Sequence, residues 1–221
     1  MIKENIARIK ALIPSGVTIV AVSKTRTPEQ IKEVAEAGIN DIGENRVQEA
    51  LIGYKELSNI DYGSSTIKWH MVGHLQTNKV KGAVKIFALI QSVDSIYLAQ
   101  EIDKQAAKIN KIQDILIEVK TSPEVTKFGL RPDEAVEVIK ELTRFRHLNI
   151  KGLMTVAAVV DTPEESRPYF RTLRELRDKI NKLSITPHMA DILSMGMTDD
   201  FKVAIEEGSN MVRLGRAIFE G

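Results

Sequence analysis

The run Thr18-Ile19-Val20-Ala21-Val22-Ser23-Lys24, followed by Thr25-Arg26-Thr27-Pro28 and a helical pattern reaching Gly38, is the unit from which the fold of this chain is read. β-Branched residues dominate the run, as they do in a strand buried on both faces. It gives way to Thr27, a residue type that caps helices, with Pro28 at the first helical position and Gly38 where the helix should close. Outward from this unit the pattern repeats. Further strands are expected over 41–45, 69–73, 88–93, 114–120, 150–157, 192–195 and 211–214. Helices are expected over 28–37, 46–57, 95–109, 132–145, 163–183 and 199–207, the last closed by Gly208. Ahead of the first strand, Ile2, Ile6, Ile9 and Ile13 share one face of an extra N-terminal helix.

About eight strand–helix units in succession, with no long linker and no shift in composition, predict an α/β fold: a closed parallel (β/α)8 TIM barrel in a single domain, 1–221. An open doubly wound sheet is the rival. No Gly-x-Gly-x-x-Gly follows the first strand, which argues against a dinucleotide-binding version. The 221 residues are 43% hydrophobic, enough for one sizeable core. With 31 basic and 30 acidic residues the net charge is +1, which offers nothing to nucleic acid or to an anionic membrane. There are no cysteines, so disulfides and thiolate metal sites are excluded. Charges interrupt every apolar stretch of the N-terminus, unlike a signal peptide, and no run reaches the roughly 18 apolar residues of a membrane span. A soluble cytoplasmic protein is expected.

In a barrel the chemistry sits at the C-terminal ends of the strands. The residues expected there are Lys24, Asn45, His70 to His74, Ser92, Lys120, Met154, Ser194 to Thr198 and Arg213 to Gly215. An amine delivered by a buried strand, with its pKa lowered by burial and nearby cations, makes a Schiff-base nucleophile; a surface lysine just past a strand is the plainer reading of Lys24. The stretch from Leu193 to Asp200 leaves strand seven and enters a helix, where barrels often hold phosphate. Ser194 and Thr198 offer hydroxyls there, and Gly196 and Gly215 allow close backbone approach. The same residues also read as a helix cap with an acidic first turn, and Asp199 and Asp200 would repel phosphate if turned inward. Asn45 could bind a ligand or cap the next helix. His70 and His74 share a strand face, but no third ligand stands at matching spacing, so no metal site is expected. Arg26 is read as solvated.

Taken in order, Ala21-Val22-Ser23-Lys24-Thr25, Gly43-Glu44-Asn45-Arg46-Val47-Gln48-Glu49, Gly73-His74-Leu75-Gln76-Thr77-Asn78-Lys79, Lys127-Phe128-Gly129-Leu130, Gly152-Leu153-Met154-Thr155, Leu193-Ser194-Met195-Gly196-Met197-Thr198 and Val212-Arg213-Leu214-Gly215 span essentially the whole chain. In these motifs it resembles the pyridoxal phosphate homeostasis proteins, the proline synthase co-transcribed family. The resemblance implies a barrel of the alanine racemase N-terminal type. It implies pyridoxal 5′-phosphate (PLP) bound to Lys24 as an internal aldimine, with the phosphate on Ser194, Gly196, Thr198 and Gly215. Arg213 would face the pyridine nitrogen, and Asn45 would line the pocket. Thr198 stands where many relatives carry serine, and the stretch from Val156 to Val160 is less familiar.

An arginine at the pyridine nitrogen stays protonated and can only donate, so the ring is a poor electron sink. A two-base racemase also needs an acid/base opposite the lysine, and no domain beyond the barrel is expected to supply one. Tyr54, Tyr62 and Tyr169 fall in helices or strand-entry loops, which leaves Tyr97 and His74 near the rim. The expected function is therefore a non-catalytic, monomeric PLP carrier that buffers or delivers the cofactor, with PLP-requiring apo-enzymes as partners. A weak PLP-dependent amino-acid racemase is the alternative; a barrel aldolase using Lys24 is the more distant one.

Overall fold

Thr27 caps its helix reciprocally: its hydroxyl accepts from the N–H of Gln30, and the Gln30 side chain accepts from the N–H of Thr27. The helix it starts, α2 (Pro28–Glu36), follows α1 (Ile2–Leu12) and β1 (Thr18–Val22). The chain continues through β2 (Asp41–Glu44), α3 (Val47–Leu57), β3 (Lys68–Met71), α4 (Val80–Ile86), β4 (Phe87–Val93), α5 (Ile96–Ala107), β5 (Gln113–Glu118) and α6 (Pro132–Leu142). It ends with β6 (Leu148–Met154), α7 (Arg167–Lys182), β7 (Ile192–Ser194), α8 (Phe201–Glu206), β8 (Met211–Leu214) and α9 (Arg216–Phe219). The computed structural model describes residues 1–57, 67–124 and 127–220; Tyr62 lies outside them.

All eight strands are parallel, each is bonded to the next, and β8 is bonded to β1, so the sheet closes into the expected barrel. Two apolar layers follow. Val20, Leu89, Leu116, Met154 and Met211 come from five different strands and meet inside the barrel. The larger layer lies between the strands and the surrounding helices and includes Ile42, Ile90, Ile117, Phe87 and Phe170. Ile2, Ile6, Ile9 and Ile13 are buried as the N-terminal helical face requires, and the Asn5 side chain ties α1 to the carbonyl of Ile218 in α9.

Six strands end earlier than the apolar runs imply, β2, β3 and β7 by only one or two residues. β1 stops at Val22, because Thr25 turns the chain with φ 63. β5 stops at Glu118 rather than 120, and β6 at Met154 rather than 157. Helix α4 was not expected: Gly82 and a missing side-chain cap weaken its local signal, and burial of Val80, Ala83, Val84 and Ile86 forms it. The short α9 was likewise unexpected. Side chains alternate between the two faces of each strand. Counting by twos from the interior residues Val20, Leu89, Leu116 and Met211 therefore reaches Val22 and Lys24, Gln91, Glu118, and Arg213, which sets which groups point into the barrel mouth.

Candidate cofactor site

A cavity of about 890 Å³ opens at the C-terminal ends of the strands. Lys24, Asn45, Thr198, Arg213 and Gly215 line it, together with Glu118 and His74. Its size suits a small organic ligand. Lys24 lies two residues beyond the end of β1 and is exposed, so the strand delivers its amine to the rim, as expected, but without the expected burial. The hydroxyl of Thr25 donates to the carbonyl of Lys24 at 2.6 Å. His74 stacks on Phe128 with ring centroids 3.8 Å apart, and its Nδ1 lies 3.2 Å from Asp94.

Arg213 is buried, and its guanidinium is held from below. Nη1 donates to the carbonyl of Ser194 at 2.8 Å and to its hydroxyl at 2.7 Å, and Nη2 donates to the carbonyl of Thr155 at 2.8 Å. A buried charge persists only when so satisfied. Burial lowers its pKa to about 10, against the opposing pull of Glu118 and Asp200, which leaves it a cation at neutral pH.

The loops after β7 and β8 meet at one end of the cavity. There the hydroxyl of Thr198 accepts from the N–H of Ala217 at 3.3 Å, and Asp199 forms an ion pair with Arg216. Asp200 turns away from the cavity: its carboxylate accepts from the N–H of Met197 at 2.6 Å and faces Ser166. Neither aspartate is left to repel an anion in the way their position in the sequence suggested. Two expected phosphate contacts are not brought to the cavity. Ser194 is wholly buried, with its hydroxyl between Gln91 and Arg213. Gly196, at φ 93, presses against α8, where a Cβ would lie 2.6 Å from the Cβ of Ala204; the close approach is to a helix.

Of the other strand-end residues, His70, Ser92 and Met154 are buried outside the cavity lining, and Lys120 does not line it. Tyr97 is 71% exposed and absent from the lining. Tyr54 and Tyr169 lie in α3 and α7. Glu118 is the group that sequence reading missed. It is 8% exposed, it faces the cavity, and its carboxyl makes no hydrogen bond among the described residues. The signal was its position two residues after Leu116.

Burial is the main cause that raises Glu118 to about 7, assisted by the charge of Asp94. Burial also raises Glu44 to about 7, against a hydrogen bond from Ser23. Below pH 4.5 both carboxyls are protonated in the folded and the unfolded chain. Between 4.5 and 7 the unfolded chain releases protons that the fold retains, so stability should fall as pH rises through this window and level off above it. The slope is at most about 1.4 kcal/mol per pH unit for each carboxyl. Urea unfolding of the apo-protein at several pH values should show this fall, and Glu118→Gln should flatten it; an unchanged slope in that variant would refute the assignment.

Comparison with known proteins agrees with this fold. The family model for the alanine racemase N-terminal domain matches residues 1–221. A pyridoxal phosphate homeostasis protein of Aquifex aeolicus is 44% identical over 203 residues, covering 91% of this chain and 85% of that protein. One from Synechocystis is 36% identical over 216 residues, covering 96% and 95%. The structure of PipY from Synechococcus elongatus with PLP bound superposes with a TM-score of 0.89 at 31% identity, covering 99% of this chain and 100% of that one. An alanine racemase of Clostridium difficile, at 19% identity, TM-score 0.82 and 58% coverage of its chain, shares the fold.

Proposed function

The chain belongs to the pyridoxal phosphate homeostasis protein family, on the barrel of the alanine racemase N-terminal domain, and we propose that it holds PLP for supply to other cytoplasmic proteins without turning it over. The observation that carries this reading is that the Lys24 amine and the Arg213 guanidinium line one cavity whose end is built by the loops after β7 and β8. The donor set fits the cofactor. Lys24 is the attachment point, Arg213 serves the ring nitrogen, and Thr198 with the backbone at Gly215 and Arg216 receives the phosphate. Asn45 borders the same space. Bound PLP supplies a carbonyl that condenses with primary amines.

Ser194 takes a different place in this scheme from the one its motif implied: it steadies Arg213. Thr198→Val should therefore weaken PLP binding by about tenfold, the loss of one hydrogen bond to a charged group, and leave pyridoxal nearly unaffected. Ser194→Ala should weaken both ligands alike. Equal losses for the two ligands in Thr198→Val would put the phosphate elsewhere.

Arg213 can donate to the ring nitrogen but never accept from it, which keeps that nitrogen unprotonated and the ring a weak sink for electrons. Tyr97 does not reach the cavity lining, and His74 is engaged with Asp94 and Phe128. Proton exchange at the α-carbon of amino acids should accordingly be slow. Catalytic amounts of loaded protein in heavy water should put little deuterium into L-amino acids. Rapid multiple-turnover incorporation, lost in Lys24→Ala and His74→Ala, would instead establish a racemase, the second reading that the presence of His74 in the cavity supports.

A further inference from the structure

Below Arg213 a line of buried polar side chains runs down the barrel axis, where apolar packing is the rule. Ser194 Oγ lies 2.6 Å from Gln91 Oε1, Gln91 Nε2 lies 2.9 Å from His70 Nδ1, and His70 Nε2 lies 3.0 Å from Asp41 Oδ1. Ser194, Gln91 and His70 are buried. Asp41 is half-buried and lines a second cavity of about 710 Å³ at the opposite end of the barrel, beside Lys10, Asn40 and Lys68.

The two ends determine the direction of every bond between them. Arginine can only donate, so the Ser194 oxygen accepts from Arg213 and its proton must go to Gln91. Gln91 then presents its oxygen to Ser194 and its NH2 to His70. An amide nitrogen only donates, so Nδ1 accepts, and the ring proton resides on Nε2. That proton points at the Asp41 carboxylate, which can only accept. Four hydrogen bonds thus run the same way, from the cation at the cofactor cavity to the anion at the far face. Chains aligned in this sense polarise one another.

We infer that Gln91, His70 and Asp41 are positioning residues for Arg213, fixing through this one-way chain the guanidinium that meets the pyridine nitrogen of PLP. The inference rests on the reading that places Arg213 at that nitrogen. It makes the charge of Asp41, at the other end of the barrel, part of the cofactor site.

The test uses full-length protein loaded with PLP carrying nitrogen-15 in the ring, whose resonance reports the hydrogen bond at that nitrogen. Arg213→Gln should displace the resonance. Gln91→Leu should move it toward the Arg213→Gln position and weaken PLP binding about tenfold, and Asp41→Asn should move it part of the way and weaken binding about threefold. Asp41→Asn keeps the shape and an acceptor oxygen at a half-buried position, so it removes charge without removing packing, and it serves if Gln91→Leu does not fold. Its apo-protein melting temperature should stay close to that of the unaltered protein. A resonance that moves in Arg213→Gln but stays in place in Asp41→Asn would overturn the inference and leave Arg213 at the nitrogen. A resonance that stays in place in Arg213→Gln would overturn both.

Discussion

Lys24→Ala protein, freed of unbound PLP, is expected to lack the long-wavelength aldimine band that the unaltered protein shows, and to keep no phosphopyridoxyl group after borohydride reduction, whereas the unaltered protein should keep one. The loss of the band should be complete, because a covalent bond has no partial substitute, while the end of the cavity lined by Thr198, Gly215 and Arg216 should still retain some cofactor reversibly. Peptide mapping of the reduced protein is the decisive measurement. Lys79 and Lys127 line the same cavity, and an adduct on either would displace Lys24 from its assigned role.

The largest effect on stability is expected at Gly152, in the middle of β6. A Cβ there would lie 2.0 Å from the carbonyl oxygen of Ile192 and 2.7 Å from its carbonyl carbon and nitrogen. These are backbone atoms of the neighbouring strand, held in the ladder that pairs Gly152 with Ile192, so they cannot move aside as a flexible side chain would. Gly152→Ala should destabilise the protein by about 4 kcal/mol or more, or prevent folding. Gly16→Ala, where a Cβ would meet nothing within 4 Å, should stay within about 0.5 kcal/mol of the unaltered protein. Urea unfolding of the pair is the check. A Gly152→Ala protein within about 1 kcal/mol of the original would mean that β6 and β7 do not approach so closely.

The barrel could be read from sequence because strong apolar runs and capping residues agreed in most units, and the strand-end positions put Lys24 and Arg213 among the residues expected at the rim. Depth along a strand was harder to read. Glu118 and Lys120 share a parity, and β5 ends two residues short of the apolar run, so the strand end expected at Lys120 falls instead at Glu118, whose carboxyl faces the cavity. Ser194 also points inward, but one layer below the rim, where it serves Arg213 rather than a ligand. Gly196 does mark a close approach, yet the neighbour is α8, and nothing local distinguishes a helix from a phosphate. The line from Ser194 to Asp41 joins residues from β2, β3, β4 and β7, a grouping that exists only once the barrel has closed.

Lys24 stands on an exposed turn past the end of its strand, and this bears on how a stored cofactor would leave. Among the described residues the Lys24 side chain is open to solvent, so in the proposed role an amine arriving from outside would reach it without a described element having to move. Discharge should then behave as a second-order exchange, its rate climbing in proportion to the concentration of acceptor amine instead of reaching a plateau set by breathing of the barrel. A depot of this kind meters its cargo by demand.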